Sequence, residues 1–449
     1  MAKYQAYAEY KDSGVEWLGE VPNDWDILSI ARVSNKITNG YVGATRDIFF
    51  DSGIRYLQSL HIKNNNINFH TPYYVSESWS NEKSKSILKE GDVLIVQTGD
   101  IGQVAAVTKE FEGCNCHALI IVSGTEKISG FYLAWLLNSN YGRQTLKSIQ
   151  TGALHPHLNC DAIKDIKIPL PDIDIQNKIT SFLDHETTKI DHLIEKQQQL
   201  IELLKEKRQA VISHAVTKGL NPNVPMKDSG VEWLAEVPEH WKIIKGGYIG
   251  TLFGSESIQE DDVTDQGSLP FIKVSSLSAE TFKLSNIDWF VSERRAKFCK
   301  AEKNYIVFPK RGAAIFTNKV NVIEVDSVID PNLMGWKIGK QGITEYFALL
   351  LKTRGLDDIA DVSTVPQINN KHIAPEKFPL PTLSEQCEIV KFVGMELTKF
   401  DEMILKAESA IQLMQERRTA LISAVVTGKI DVRNWQAPTV AEADTELSA

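Results

Sequence analysis

The sequence has no apolar run of the roughly 18 residues that a membrane-spanning helix needs. Its apolar segments, such as residues 118–122 and 347–351, have the length of a strand or of a short helix. The first ten residues lack the basic start and the apolar stretch of a signal peptide. These absences predict a cytoplasmic protein that has no membrane among its partners.

Cysteine is scarce, with five residues among 449, and this number does not make a disulfide framework. Free thiols in a reducing compartment are therefore predicted. A zinc site could be drawn from neighbouring cysteines and histidines, namely Cys114, Cys116, His117, His155, His157 and Cys160. Because Cys-x-Cys is a tight spacing for zinc, we favour core thiols and surface histidines, and we predict no metal site.

The motifs of several large enzyme classes are absent. There is no GxxxxGK[ST] loop for nucleotide phosphates, no GxSxG nucleophile turn and no HExxH zinc motif. An amino-methyltransferase would carry an Asn/Asp-Pro-Pro-aromatic loop, and the nearest strings, residues 221–223 and 330–333, do not fit. We predict that the chain is not an enzyme and that it holds no cofactor of its own.

An excess of positive charge is also missing. The chain has 49 basic and 58 acidic residues, a net charge of −9, and this balance argues against a strongly basic nucleic-acid binder. The acid excess is spread thinly along the chain. Local patches must therefore decide whether the protein binds DNA.

The sequence does contain an internal repeat. KDSGVEWLGEVPNDW at residues 11–25 returns as KDSGVEWLAEVPEHW at residues 227–241, with twelve of fifteen positions identical. Fainter matches continue through each copy, such as HPHLN at 155–159 with VPQIN at 365–369. Each copy has about 210 residues, far more than one solenoid repeat, so the chain is a duplicated domain pair. The tryptophans of the shared motif, Trp17, Trp25, Trp233 and Trp241, are predicted to be packing anchors.

Each copy begins with a globular part of mixed α/β pattern. Short apolar runs such as residues 92–96 and 305–308 predict buried strands, and residues 128–138 and 344–351 predict helices. The globular part ends in a proline-flanked strand, IPLP or FPLP.

A long helix completes each copy. Residues 176–216 contain no proline or glycine, and in both copies apolar residues recur at spacings of three, four and seven, which is typical of a coiled-coil seam. A helix packed on its own domain is the alternative interpretation. About 40 residues would form a rod of about 60 Å, which suits a spacer paired with its counterpart from the other copy. The predicted seam positions are Ile179, Leu183, Ile190, Ile194, Ile201, Leu204, Val211, Ala215, Ile389, Val393, Phe400, Ile404, Ile411, Met414, Leu421 and Val425.

These patterns predict five segments along the chain. They are a first globular domain at 1–171, a first long helix at 172–220, a second globular domain at 221–381, a second long helix at 382–430 and a disordered tail at 431–449.

Three local patterns make DNA contact plausible, and each has an ordinary structural alternative. Residues 294–311 hold the strongest basic excess in the chain. This excess favours contact with phosphates, and the structural alternative is a charged face exposed to solvent. The Asn-rich stretch 60–70 suits pairing with adenine edges or a simple turn. The glycine loop 97–102, matched by 310–315, suits close approach to a ligand or a hairpin turn. The candidate DNA-binding residues are Lys63, Asn64, Asn65, Asn66, Thr98, Gly99, Asp100, His155, His157, Arg294, Arg295, Lys297, Lys300, Lys310, Arg311, Lys319 and Gln367.

The order of these features resembles the specificity subunit of type I restriction-modification systems. The resemblance covers the chain up to about Trp435. It rests on MKDSGVEWLAEVPEHW at 226–241, on EGDVLIVQTGDIG at 90–102, and on IPLP followed by a helix ending RQAVISHAVTKGL. It implies two target recognition domains that alternate with two long helices, paired as an antiparallel coiled coil in a pseudo-two-fold repeat.

The resemblance also implies a function in phage defence. The chain would recognise a bipartite, asymmetric sequence in double-stranded DNA. It would dock two modification subunits, which carry S-adenosylmethionine and methylate adenine N6. Two restriction subunits, motor-nucleases that use ATP and Mg, would complete the complex.

The sequence is also compatible with two rival functions. One is a self-contained DNA methyltransferase or nuclease, which the absent motifs disfavour. The other is a coiled-coil scaffold with two protein-binding domains and no role on DNA, which the basic segment 294–311 disfavours modestly.

Overall fold

The computed structural model describes residues 4–152, 156–256, 258–361 and 365–437. The chain forms two compact units. The first unit comprises Met1–Gln198 and Glu408–Ala449, and the second comprises Gln199–Ala407. None of the helices in the described ranges is long and apolar enough to cross a membrane.

The first copy contains thirteen strands and five α-helices in its described residues. The strands are β1 Tyr10–Asp12, β2 Glu20–Pro22, β3 Asp26–Ser29, β4 Ser34–Asn39, β5 Ile54–Leu57, β6 Ile62–Lys63, β7 Asn66–Ile67, β8 Tyr74–Val75, β9 Val93–Val96, β10 Val104–Ala106, β11 Asn115–Cys116, β12 Leu119–Gly124 and β13 Lys167–Leu170. The helices are α1 Glu77–Glu82, α2 Gly130–Asn138, α3 Asn140–Ser148, α4 Cys160–Lys164 and the long α5 Ile173–Lys218.

The main sheet of the first unit is antiparallel and has the order β10-β9-β12-β4. Its central strand β9 is buried along its whole length because a hydrophobic cluster covers each face. Val93 and Ile95 belong to the larger cluster, while Leu94 and Val96 belong to a smaller one. A strand covered on both faces has no reason to alternate apolar and polar residues. A second sheet, β11-β5-β8, contains the parallel pair β11 and β5.

The second copy contains twelve strands and five α-helices in its described residues. The strands are β14 Met226–Asp228, β15 Glu236–Pro238, β16 Lys242–Lys245, β17 Gly250–Phe253, β18 Val263–Thr264, β19 Leu269–Ile272, β20 Phe290–Val291, β21 Tyr305–Pro309, β22 Asn321–Ile323, β23 Val328–Ile329, β24 Leu333–Ile338 and β25 Lys377–Leu380. The helices are α6 Gly246–Ile249, α7 Glu293–Ala296, α8 Thr344–Arg354, α9 Asn370–Ile373 and the long α10 Leu383–Val426.

The second unit repeats the topology of the first. Its main sheet has the order β17-β24-β21-β22, and its second sheet, β18-β20-β19-β23, contains the parallel pair β19 and β23. Each proline-flanked strand closes its globular part by antiparallel pairing, β13 with β3 and β25 with β16. The duplication and the mixed α/β pattern predicted from the sequence are therefore confirmed.

The shared motif forms a hairpin in both copies, β1 with β2 and β14 with β15. Trp25 and Trp241 are buried to 0% and 1% exposure and anchor these hairpins. Trp233 is half-buried, with its ring 6.0 Å from that of Phe378. Trp17 differs, since 51% of it is exposed, so its prediction as a packing anchor is wrong.

The long helices pair antiparallel within each unit. In the first unit, Arg418 of α10 donates two hydrogen bonds to Asp191 of α5, at 2.8 and 3.1 Å. In the second unit, Arg208 of α5 lies 3.3 Å from Asp401 of α10. Every predicted seam position is buried or half-buried, which confirms the coiled-coil prediction. The helix ends also pack on the globular parts, as the alternative interpretation required.

The predicted tail 431–449 differs from the structure at its start. The Asp431 backbone N–H donates to the Gln5 carbonyl at 2.8 Å, and Val432 is fully buried. The Trp435 ring lies 5.5 Å from that of Phe182. The apolar residues at 432 and 435 hold this segment on the first unit, so disorder from residue 431 onward is wrong for 431–437. Residues 438–449 lie outside the described ranges.

Candidate nucleic-acid interface

The positive charge of the basic segment 294–303 is compensated by acidic residues that the fold brings from elsewhere in the second unit. Arg294 bonds Asp262 at 3.2 Å, and Arg295 lies 3.6 Å from Glu256. Hydrogen bonds from Ser292 and Arg294 hold the pKa of the Asp262 carboxyl below its ordinary value. The sequence shows one acid in this stretch, but the folded surface carries several.

The same compensation extends to the lysines of this segment. Lys300 lies 3.3 Å from Glu302, which also bonds Lys337 and has a lowered pKa because of these lysines. Lys303 lies 3.6 Å from Asp326. Lys297 is exposed on the same surface. The candidates Arg294, Arg295 and Lys300 therefore lie in ion pairs rather than on a surface of unopposed positive charge.

A second group of predicted residues lies where β21 ends. Three backbone hydrogen bonds fix the chain there. The Lys310 N–H donates to the Asn332 carbonyl at 2.8 Å, the Ile368 N–H donates to the Lys310 carbonyl at 2.8 Å, and the Gly312 N–H donates to the Pro366 carbonyl at 2.9 Å. These bonds bring the glycine loop 310–315 and the segment 365–369 together, although they are distant in sequence.

The junction forms an open cleft of about 500 Å³. Its described lining residues are Gly254, Lys310, Arg311, Met334, Gln367, Ile368, Asn369, Asn370 and Lys371. None of these is acidic, and Lys310, Arg311 and Lys371 form no ion pair with a described residue. The cleft therefore combines unopposed positive charge with amide side chains, a combination suited to phosphates and base edges.

The first unit has an equivalent junction with different chemistry. The Leu158 N–H donates to the Gln97 carbonyl at 3.1 Å, as Ile368 does to Lys310. The Thr151 and His157 backbones pair as Asp361 and Gln367 do in the second unit. The loop 97–102 connects β9 to β10, so its hairpin interpretation holds. Its polar side chains are amide, hydroxyl and carboxylate groups, and the exposed ones include Thr98 and Asp100.

The Asn-rich stretch contains a tight turn, which was the structural alternative to pairing with adenine edges. Asn64 and Asn65 connect β6 to β7 with positive φ angles of 51° and 65°, which asparagine tolerates better than most residues. The Asn64 N–H donates to Gln103 Oε1 at 3.1 Å, and Gln103 Nε2 donates to Asp100 Oδ2 at 3.2 Å. Gln103 thus connects the Asn-rich turn to the glycine loop 97–102. Lys63 and Asn66 are exposed beside this turn.

The remaining candidates are scattered. Lys319 is half-buried with its Nζ 3.5 Å from the Val274 carbonyl, and it does not line the cleft. His157 is exposed, with Nε2 3.2 Å from Thr151 Oγ1, and Gly99 has a φ of 83°. His155 lies outside the described residues.

Sequence reasoning missed Lys371, Asn369, Asn370 and Gln103. A signal for the first three was present, because the repeat match VPQIN at 365–369 runs directly into them. Asn369 and Asn159 even cap equivalent short helices, accepting from Lys371 N and Ala162 N. Gln103 had no comparable signal, since its role depends on two loops meeting.

The cysteines are free thiols, as predicted. Burial raises the pKa of Cys114 to about 11, and Cys116 is fully buried with a pKa raised for the same reason. Cys160 donates to Asn39 Oδ1 at 3.3 Å. Within the described ranges, no three His, Cys, Asp or Glu residues are grouped to hold a metal ion.

Comparison with known families identifies the duplicated domain. The model of the family described as the type I restriction modification DNA specificity domain matches residues 22–203 and again residues 238–413. The chain is thus a tandem pair of this domain, and the two matches follow the two copies of the repeat.

Relatives and solved structures of similar length agree with this family match. The MjaVIII specificity subunit of Methanocaldococcus jannaschii is 26% identical over 92% of this chain and 95% of its own length. The EcoKI specificity subunit of Escherichia coli K12 is 21% identical over 93% of this chain and 92% of its own length. The crystal structure of the HsdS subunit from Thermoanaerobacter tengcongensis covers 91% of this chain and 98% of its own, with 14% identity and a TM-score of 0.57. A chain from a structure of a type I R-M system covers 90% of this chain and 98% of its own length, with 15% identity and a TM-score of 0.65.

The chain belongs to the specificity subunits of type I restriction-modification systems. This confirms the family that the sequence resembles, and the solved structures confirm the fold. Specificity subunits are the DNA-recognition, non-catalytic subunits of these systems, so the prediction that the chain is not itself an enzyme is confirmed as well.

Proposed function

We propose that this chain recognises a bipartite, asymmetric DNA sequence, with one half-target bound by the globular part of each unit. One observation carries the proposal: the specificity domain occurs twice in a chain whose two equivalent junctions hold different side chains. Two copies of one fold give two half-targets, and different contact chemistry gives each half its own bases.

The contrast between the junctions supports asymmetry. The second unit presents Lys310, Arg311 and Lys371, whereas the first presents Thr98, Asp100 and His157 at the equivalent place. Arginine and lysine favour guanine edges and phosphates, while carboxylates accept from the amino group of cytosine. A palindromic target would require the same chemistry twice.

The proposal extends to partners. Two modification subunits with adenine N6-methyltransferase activity would dock on this chain and supply S-adenosylmethionine. Two restriction subunits would bring ATP and Mg, and the assembly would act on double-stranded DNA in the cytoplasm. The chain would hold no cofactor of its own. Its net charge of −9 is compatible with this function because the partners share the DNA contact and the positive charge is local to the cleft.

A methylation map tests the proposal. Single-molecule sequencing of host DNA should show a split, asymmetric N6-methyladenine motif that disappears when the gene for this chain is deleted. If the motif persists in the deletion strain, or if the chain reconstituted with its modification subunits methylates no split motif, the proposal is wrong. The non-DNA scaffold would then be the better account.

A further inference from the structure

Two basic surfaces of the second unit compete for the role of DNA contact. The segment 294–303 has the higher density of positive residues, but four of its five cations are paired with Asp262, Glu256, Glu302 and Asp326, and only Lys297 has no ion pair with a described residue. A phosphate that approaches such a cation also meets the paired carboxylate, whose negative charge repels it and offsets much of the attraction. Lys310, Arg311 and Lys371 in the cleft have no ion pair to break with any described residue. The cleft is therefore the stronger candidate.

The backbone of the cleft places two side chains directly next to each other. Arg311 and Gln367 are opposite residues of an antiparallel bridge. The flanking hydrogen bonds, Gly312 to Pro366 and Ile368 to Lys310, make this the non-hydrogen-bonded kind of pair. In such pairs the Cα atoms are only about 4.5 Å apart and the side chains are adjacent on one face. Both residues are exposed to solvent.

The chemistry of this pair matches two base edges. A guanidinium can bond guanine O6 and N7 together, and a glutamine amide can bond adenine N6 and N7 together. Lysine lacks the planar fork of arginine and acts as a point charge, which suits phosphate. The cleft thus has a central pair suited to bases, with Lys310 and Lys371 in the same lining.

We infer that Arg311 and Gln367 recognise neighbouring guanine and adenine edges in one half-target, and that Lys310 and Lys371 contact its phosphates. This inference rests on the proposed function and names the residues that determine specificity in the second unit.

The test uses the full chain in complex with its modification subunits. Duplexes varied at each position of both half-targets are scored for N6-adenine methylation and for binding. The Arg311→Ala complex should lose discrimination at one guanine–cytosine pair by roughly 5- to 150-fold and keep it elsewhere. Arg311→Lys should lose part of the same discrimination while keeping the salt dependence of binding, since it retains the charge but not the fork. Gln367→Ala should relax the adjacent position.

The phosphate contacts have a separate readout. Lys310→Ala combined with Lys371→Ala should weaken binding to all sequences alike and lower the slope of log affinity against log salt by about 2. Arg294→Ala is the matched control, because its guanidinium is exposed but held by Asp262, and it should change neither quantity. Unchanged unfolding midpoints show that each variant folds.

Two outcomes would overturn the inference while leaving the proposed function intact. In one, the wild-type complex methylates a split motif but Arg311→Ala keeps full discrimination. In the other, Arg294→Ala relaxes a position and Arg311→Ala does not. If the wild-type complex methylates no split motif, the proposed function itself is wrong and the inference falls with it.

Discussion

At the scale of single residues, the two anchor tryptophans show how far the copies have diverged. Trp25 and Trp241 are equivalent and almost fully buried. The Trp241 indole N–H donates to Glu385 at 3.0 Å, whereas the Trp25 indole N–H has no hydrogen-bond partner among the described residues. The position equivalent to Glu385 in the first copy is Ile175. The same anchor therefore has a charged acceptor in one unit only.

This difference predicts unequal costs for the same substitution. Trp25→Phe and Trp241→Phe remove similar apolar volume, but only the second also removes a hydrogen bond to a carboxylate. We expect Trp241→Phe to cost about 1.5–3 kcal/mol more of unfolding free energy, the usual value of such a bond. Urea unfolding of both variants, followed by a probe in the affected unit, measures this. Equal losses would mean that the Glu385 bond contributes nothing net.

The candidate site shows at the same scale what sequence can predict. Lys310, Arg311 and Gln367 were predicted from charge, a glycine loop and repeat position, and the structure brings them into one cleft. Arg294 and Arg295 were predicted from local charge alone, and local sequence could not show that Asp262 and Glu256 fold against them. Charge density along a chain is a poor guide to charge on a surface when the opposing acids are distant in sequence.

At the scale of elements, the start of α10 is fixed by a capping box. The Thr382 N–H and hydroxyl both donate to Glu385 Oε2, at 3.0 and 2.8 Å, while the Glu385 N–H donates back to the Thr382 hydroxyl. His240 and Trp241 bond the other carboxylate oxygen. Burial acts to raise the pKa of Glu385, but the hydrogen bonds from Trp241, His240 and Thr382 outweigh it and lower the pKa to about 2.

The lowered pKa predicts a pH dependence of stability. A carboxyl whose pKa is lower in the folded state stabilises the fold above its ordinary value, here 4.5, and this contribution is lost as the pH falls towards 2. The unfolding free energy of the wild type should therefore fall more steeply between pH 4.5 and pH 3, within that window, than that of Glu385→Gln. Glu402→Gln, on the exposed face of the same helix, is the control and should follow the wild type. Parallel curves for all three proteins would contradict the role of Glu385.

The long elements were the most predictable part of the fold. The seam of α5 and α10 follows from a spacing that is typical of a coiled coil, and β9 and β21 follow from apolar runs that are covered on both faces. The short strands β6 and β7 were not predicted, because their two-residue turn depends on Asn64 and Asn65 adopting positive φ. Short elements of this kind are determined by packing against the larger sheet rather than by their own pattern.

At the scale of the whole molecule, the repeat extends to the ion pairs between the helices. Asp191 and Asp401 are separated by 210 residues, and so are Arg208 and Arg418. Asp191 on α5 pairs with Arg418 on α10 in the first unit, whereas Arg208 on α5 pairs with Asp401 on α10 in the second unit. Each long helix therefore contributes to both units, α5 through residues on either side of Gln198 and α10 through residues on either side of Ala407. A change in one helix must be matched in the other to preserve the pairing.

This arrangement predicts the effect of matched insertions. Seven residues inserted in register into both α5 and α10 would add about 10 Å of helix to each, or about three base pairs of DNA. We expect the methylated motif to keep both half-sequences and to gain about three base pairs of spacer. The same insertion in one helix alone should impair assembly, since the seam and the ion pairs can no longer match. An unaltered spacer in the doubly extended protein would show that the helices do not set the spacing.

Independence of the two globular parts predicts the result of a domain exchange. Residues 30–165 contain the main sheet of the first unit and its junction, while the β1–β2 hairpin and both long helices lie outside this range. Replacing them with the equivalent residues of another specificity subunit should therefore change one half of the methylated motif and leave the other half and the spacer unchanged. Sequencing of host DNA methylated by the chimera measures all three features at once. The exchange of residues 250–375 is the reciprocal control and should change the other half. If either exchange altered both halves, sequence recognition would have to be shared between the units, and the equivalent junctions of the two copies would not be separate sites.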